Sequence, residues 1–284
     1  MLSLDLNMQS FKNKNILITG AASGIGRSLS NEFAKEGARL ILCDLDTESL
    51  ESHACELREN NVEVSSYFAD VSNYDSMKEF SDKVLKDHNH IDVLINNAGV
   101  NLMDRFIDGD LKDFKWVMDI NFWGTVYGVN LFLESLLSRD QAHIVNISSI
   151  LGLMSLPGQA AYNSSKAAIK GFTEALKMEL THTSVNVTCI HPGGVKTNIA
   201  IKAKTGTTIS KDTKEKLISD FDKLSYTTSK SAAQQIVKGI KSNKRRIMVG
   251  IDAKIADLLV RIFPNNYEKI MGLEKRYKRY KNSK

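Results

Sequence analysis

With 284 residues, 42% of them hydrophobic and 25% charged, the chain has enough apolar material for a sizeable core and is neither collagenous, low-complexity nor disordered. Its formal net charge is +5, but Lys275, Arg276, Lys278, Arg279, Lys281 and Lys284 fall in the last ten residues, so the body is close to neutral. That balance excludes a nucleic-acid footprint spread over the surface, and three cysteines without a CxxC pair argue against a disulfide framework or a zinc site.

Along the chain, short apolar runs recur at Ile16–Ile18, Leu40–Leu42, Ile91–Ile95, Ile144–Ile147, Val185–Ile190 and Arg246–Val249. They are too short for helices and apolar on both faces, the pattern of a parallel sheet covered on both sides. Between them, Gly24–Glu36, Thr47–Glu59, Asp75–His88, Leu111–Leu137 and Ala160–Leu180 read as helices. This alternation predicts an α/β fold, a doubly wound parallel sheet in one domain with helices on both faces. The prolines, at 157, 192 and 264, fall at expected breaks, so the long helices are expected to run uninterrupted. The catalytic domain is expected over 1–250, with a mobile lid at about 197–228, and a C-terminal helical extension with a basic tail over 251–284. No apolar run approaches the ~18 residues of a membrane helix, and the N-terminus lacks a signal peptide's order, which predicts a cytoplasmic protein.

The first strand runs into Thr19-Gly20-Ala21-Ala22-Ser23-Gly24-Ile25-Gly26 and then a helix. Glycines at this turn let backbone approach a pyrophosphate, and the N–H groups and partial positive charge of the helix N-terminus hold the anion. A P-loop is excluded because Arg27-Ser28 follows the last glycine. Asp44 ends the second strand 18 residues after Gly26, where an acid accepts hydrogen bonds from an adenosine ribose and repels a 2′-phosphate. This favours NAD over NADP; the alternatives are a solvated loop aspartate, or a phosphate neutralised by Arg27 and Arg39. Asp70-Val71 close the third strand where they can flank an adenine, or Asp70 caps the next helix.

Tyr162 and Lys166 stand four apart on a predicted helix and share a face. Hydride transfer at a carbinol carbon needs a partner for the hydroxyl proton, and a phenol of pKa ~10 is a poor base unless a nearby cation favours phenolate. Ser149, at the end of the preceding strand, can hydrogen-bond a substrate oxygen, and Asn121 can hold a water behind the lysine.

Thr-Gly-x-x-x-Gly-x-Gly, Asn96-Asn97-Ala98-Gly99, Ser149, Tyr162-x-x-x-Lys166 and Pro192-Gly193 occur in one order. Over roughly residues 12 to 250 the chain thereby resembles the classical short-chain dehydrogenases/reductases. The resemblance implies a Rossmann fold and a nicotinamide-dependent oxidoreductase. It implies that Gly20, Ser23, Gly24, Ile25 and Gly26 form the pyrophosphate loop, Asp44 the ribose selector, and Asp70 and Val71 the adenine pocket. Asn97, with Ala98 and Gly99, would make the central cofactor contact, and Pro192, Gly193, Val195 and Thr197 would fix the carboxamide. Tyr162 matches the catalytic acid/base, Lys166 the residue that lowers its pKa and binds the nicotinamide ribose, Ser149 the one that orients the carbonyl, and Asn121 the one that completes a proton relay. Homodimers or homotetramers built on the two long central helices are implied as well. A non-catalytic dinucleotide-binding sensor or scaffold of the same fold is the alternative, against which Tyr162 and Lys166 together speak.

Ile150 to Gln159, an apolar stretch beside the expected reaction centre, points to an apolar alcohol or carbonyl substrate, with core packing under the loop as the other reading. Ile255, Leu258, Leu259 and Ile262 form one helical stripe, expected to cover the domain itself or a partner subunit. Tyr267, Ile270, Met271 and the basic run read as a solvated tail in preference to a peripheral contact with an anionic bilayer. The six histidines show no ligand spacing, so no metal is expected.

Overall fold

Alternation within the short apolar runs sets the architecture. Ile16 and Ile18 join one core cluster and Leu17 the other; Leu40 and Leu42 are split from Ile41, and Val93 and Ile95 from Leu94, in the same way. A period of two with both faces apolar buries both sides of a sheet. The computed structural model describes residues 10–206 and 209–273. Its elements begin with β1 (Asn15–Thr19), α1 (Gly24–Lys35), β2 (Arg39–Asp44), α2 (Thr47–Glu59), β3 (Val64–Phe68), α3 (Tyr74–His88) and β4 (Val93–Asn96). They continue with β5 (Leu102–Met103), α4 (Leu111–Met118), α5 (Gly124–Leu137), β6 (Ala142–Ile147), α6 (Ala160–Glu179), β7 (Val185–Pro192) and β8 (Val195–Lys196). The last are β9 (Lys204–Thr205), α7 (Lys211–Leu224), β10 (Thr227–Thr228), α8 (Ser229–Lys241), β11 (Arg246–Val249), α9 (Ile251–Ile262) and α10 (Tyr267–Ile270).

Seven strands form one parallel sheet in the order β11-β7-β6-β4-β1-β2-β3. Leu29 and Phe33 of α1, Leu50 and Leu57 of α2, and Ile236 and Ile240 of α8 cover one face. Phe80 of α3, Phe132 of α5 and Leu176 of α6 cover the other. This is the doubly wound Rossmann arrangement, and the strand order reverses between β1 and β4. Ligands of such sheets bind at that switch point, beyond the carboxyl ends of the strands.

Three local features differ from the sequence reading. Residues 111–137 do not form an uninterrupted helix: a π-turn at Asp119–Trp123 separates α4 from α5 without a proline. Asn121 lies in it, fully buried, and exchanges hydrogen bonds with the backbone of Val100, which anchors the irregular turn. The cap of α3 is Asn73, whose Oδ1 accepts from the Ser76 N–H at 2.9 Å; Asp70 instead binds Ser72. Finally, β3 was absent from the apolar runs because it is an edge strand reading Val-Ser-Ser-Tyr-Phe, half-buried at both serines.

His143 on β6 and His191 on β7 are fully buried, and burial pushes their pKa values down to about 3 and about 4. Unfolded histidine binds a proton near pH 6.5, so between the folded values and 6.5 the unfolded chain holds more protons. The stability these residues contribute is present above pH ~6.5 and is lost as the pH falls toward 4 and then 3. We expect the melting temperature to fall between about pH 7 and pH 4.5, and the fall to be shallower in the His143→Gln, His191→Gln variant. Parallel melting profiles for the two proteins would show that other groups carry the acid response.

Candidate active site

The site grows from the end of β1. The Thr19 hydroxyl accepts hydrogen bonds from the N–H groups of Asn97 and Ala98, both at 3.0 Å, and the Asn97 amide donates to the carbonyls of Thr19 and Gly20 at 2.9 and 3.0 Å. The loop after β1 is therefore pressed onto the loop after β4. A Cβ on Gly20 would lie 2.7 Å from the Ala98 Cα, and one on Gly26 would meet the Gly20 carbonyl; Gly20 also has φ +66°. Only glycine fits both places. Helix α1 starts at Gly24 with no side-chain bond from its cap residue Ser23 and no acid in its first turn. Its positive end is free to receive an anion, whereas Asp46, Asn73 and Asp110 cap α2, α3 and α4.

Asp44, at the end of β2, accepts from the Ala22 N–H at 2.9 Å and from the Asp46 N–H at 3.0 Å, so its carboxylate is fixed beside the glycine turn. At the surface nearby, Arg27 pairs with Glu56 at 2.6 Å and Arg39 with Glu63 at 2.9 Å. A single cavity of about 1310 Å³ joins Gly20, Ser23–Ile25, Asp44, Asp70, Val71, Asn97–Gly99, Ser149, Tyr162, Lys166, Pro192, Gly193, Val195 and Thr197. Of the residues singled out in the sequence, Gly26 and Asn121 lie behind this wall rather than on it. The uncapped helix, the tight glycine turn and a volume above that of a drug-sized pocket fit a dinucleotide with a substrate beside it.

Tyr162 and Lys166, one turn apart on α6, are both buried. The Lys166 ammonium donates to the Ile147 carbonyl at 2.9 Å and lies 5.6 Å from the centre of the Tyr162 ring. Burial pushes the Tyr162 phenol up to about 12, with a hydrogen bond from Ser149 acting in the opposite sense, and pushes Lys166 down to about 8. Desolvation is thus the larger influence on the phenol in the protein alone, ahead of the Ser149 hydrogen bond. The side chain of Asn121 is occupied by Val100 and by the Ser165 hydroxyl at 3.0 Å, yet it stays close to the lysine. A Cβ on Gly99 would lie 3.1 Å from its Oδ1 and 3.4 Å from the Lys166 Nζ.

Residues 195–206 and 209–228 close one side. Two short parallel pairs, β5 with β9 and β8 with β10, tie the segment down, and Lys204 reaches Asp113 of α4 at 2.6 Å. Ala200, Ala203 and Leu217 pack on Met103, with Ile209 and Phe221 against them, so this cover has an apolar core of its own.

Asp252, in the first turn of α9, was not among the sequence candidates. Its Oδ2 accepts from the Gly194 N–H at 2.5 Å, its Oδ1 is buried with no partner among the described residues, and it lines the cavity. A Cβ on Gly193 would collide with this carboxylate. The signal in the sequence was the glycine pair 193–194 and Gly250 before the helix, but only the fold brings the two segments together.

A Rossmann sheet with a dinucleotide-shaped cleft and a Ser–Tyr–Lys group on its wall defines a class of nicotinamide-linked oxidoreductases. The family profile described as short chain dehydrogenase matches residues 14–208. The putative oxidoreductase SadH of Mycobacterium tuberculosis is 36% identical over 268 residues, covering 93% of this chain and 96% of that protein. A short-chain dehydrogenase/reductase from Burkholderia phymatum, solved in complex with NAD, superposes with a TM-score of 0.82 at 27% identity, over 89% of this chain and 95% of the other. An alcohol dehydrogenase from Thermococcus sibiricus, solved with 5-hydroxy-NADP, gives 0.71 at 26% identity, over 84% and 96%. The chain belongs to the short-chain dehydrogenase/reductase family and is an oxidoreductase of that family.

Replacing Asp252 by Ala removes a charge-assisted hydrogen bond of about 1.5–3 kcal/mol from the loop at Gly193–Gly194. We expect the dissociation constant for NAD, measured by calorimetry, to rise about tenfold with the far-ultraviolet circular dichroism unchanged. An unchanged constant would show that the loop is held without Asp252.

Proposed function

We propose that this oxidoreductase prefers NAD over NADP and interconverts an apolar alcohol and its carbonyl compound, with Tyr162 as the group that gives or takes the proton. The observation that carries the reading is the convergence of Ser149, Tyr162 and Lys166 on one wall of the cavity whose other end is the uncapped α1. Asp44 supports the cofactor preference: a carboxylate fixed beside the glycine turn disfavours a 2′-phosphate. Ile150, Leu151, Met154, Leu156, Leu217 and Phe221 line the cavity and support the apolar substrate.

Bound nicotinamide supplies the hydride donor or acceptor, and in its oxidised form a positive charge. The residues of the chain manage the oxygen and its proton. Ser149 holds the substrate oxygen and the phenol of Tyr162. The phenol is protonated at neutral pH and can give that proton to a carbonyl oxygen in reduction. Taking a proton from an alcohol requires phenolate, which burial disfavours, and added positive charge beside the ring lowers that cost. Lys166, held by the Ile147 carbonyl, supplies part of that charge.

Tyr162→Phe keeps the ring and removes the hydroxyl. We expect kcat for ketone reduction to fall by about a thousandfold or more, while the dissociation constant for NADH stays within about twofold. Turnover that survives the substitution would overturn the role given to Tyr162. A dissociation constant lower for NADPH than for NADH in the unaltered protein would overturn the preference read from Asp44.

A further inference from the structure

The stripe read on α9 does not cover its own domain, since Ile255, Leu258 and Ile262 are each more than half exposed. Polar groups left without a partner are found instead on the wall of the cavity. Asn101 and Gln159 both line it, and the side-chain amide oxygen of each is buried with no partner among the described residues. Asn101 as a whole is only 8% exposed. Buried amides in folded proteins are nearly always paired, so two unpaired ones on one cavity wall call for a cause.

Both belong to segments that frame Tyr162 and Lys166. Gly99, two residues before Asn101, lies against the lysine, where an added Cβ would come 3.4 Å from its Nζ. Asn101 is fixed through its backbone: Val100 before it is held by Asn121, and its own carbonyl accepts from the Lys204 N–H at 3.1 Å. Gln159 stands three residues before Tyr162 as the cap residue of α6. Its side chain nevertheless makes no capping bond, whereas those of Asp46, Asn73 and Asp110 cap their helices. The two segments meet. Leu102 packs in one cluster with Ala161, the Asp104 N–H donates to the Gly158 carbonyl at 2.9 Å, and Asp104 pairs with Gln159.

Building on the role given to Tyr162, we propose that Asn101 and Gln159 set substrate specificity by binding a second oxygen of the substrate, apart from the one that Tyr162 serves. The substrate is then an apolar diketone or hydroxyketone, or the corresponding diol, in place of a plain ketone or alcohol. A side-chain amide both donates and accepts, which suits a carbonyl or a hydroxyl equally. Residues 97–103 and 147–162 bring no charged side chain to the cavity other than through Tyr162 if ionised, so this wall favours a neutral group over a carboxylate or an ammonium. Met103, Trp116 and Leu156 line the same cavity and keep its surface apolar, which sharpens the choice. A site built to hydrogen-bond a substrate oxygen rejects the analogue that lacks it, because its own polar groups are left unpaired.

The probes are medium-chain aliphatic methyl ketones, each compared with diketones of the same length that carry a second carbonyl at successive positions. Protein saturated with NAD, which cannot reduce a ketone, is titrated with each compound by calorimetry, and reduction is then followed with NADH. We expect one diketone of a set to bind about tenfold or more tightly than its plain ketone, with a similar gain in kcat/KM. In the Asn101→Leu, Gln159→Leu protein that ratio is expected to fall to about one without a lower melting temperature, since the two amides hold nothing together within the chain. Gln159→Leu alone, at a half-buried position, is expected to lower the ratio about threefold. Equal dissociation constants within every set overturn the proposal. So does a double variant that keeps the ratio but loses affinity for NADH, which would make the amides a cofactor contact. Binding is read without turnover, so a failure of the reductase reading would appear separately, as diketones that bind more tightly and are not reduced.

Discussion

The site depends on a clasp between the first and fourth strands of the sheet. The Thr19 hydroxyl receives two backbone N–H groups from the loop after β4, and the Asn97 amide answers with bonds to the carbonyls of Thr19 and Gly20. Their short reach draws two backbone segments into contact at the one place where the strand order reverses, and the close approach requires glycine at 20 and 26. Asn97 thereby occupies the Thr19 and Gly20 carbonyls, while Gly20, Ser23, Gly24 and Ile25 line the cavity.

Beyond the clasp, burial governs the chemistry. The cavity wall takes a phenol and an ammonium out of water together, which raises one pKa and lowers the other, moving both toward their uncharged forms. The chain alone thus holds a proton on Tyr162 and only weakly keeps one on Lys166. A cationic partner beside them shifts the phenol back toward its ordinary range.

Much of this was legible in the sequence. The short runs apolar on both faces and the glycines after the first of them point to a doubly wound sheet and a phosphate-binding turn, since both are local signals. Tyr162 and Lys166 were visible because a spacing of four on a helix places side chains on one face. What stayed hidden depends on contacts distant in the chain. The π-turn at Asn121 is paid for by hydrogen bonds to Val100, 21 residues away, and local helix signals run straight through it. Asp252 meets Gly194 across 58 residues. The direction of the Lys166 ammonium, toward Ile147, is set by β6 rather than by its own helix. The exposure of the α9 stripe was unreadable because periodicity reports an apolar face without reporting what it packs against.

The most direct test is a crystal structure of the protein with NAD. The expected result places the pyrophosphate at the N-terminus of α1 within hydrogen-bond distance of backbone N–H groups between Ser23 and Gly26, the adenosine ribose on Asp44, and the Tyr162 hydroxyl facing the nicotinamide end of the cleft. A dinucleotide bound away from the glycine turn, or a Tyr162 hydroxyl turned out of the cleft in the complex, would contradict it.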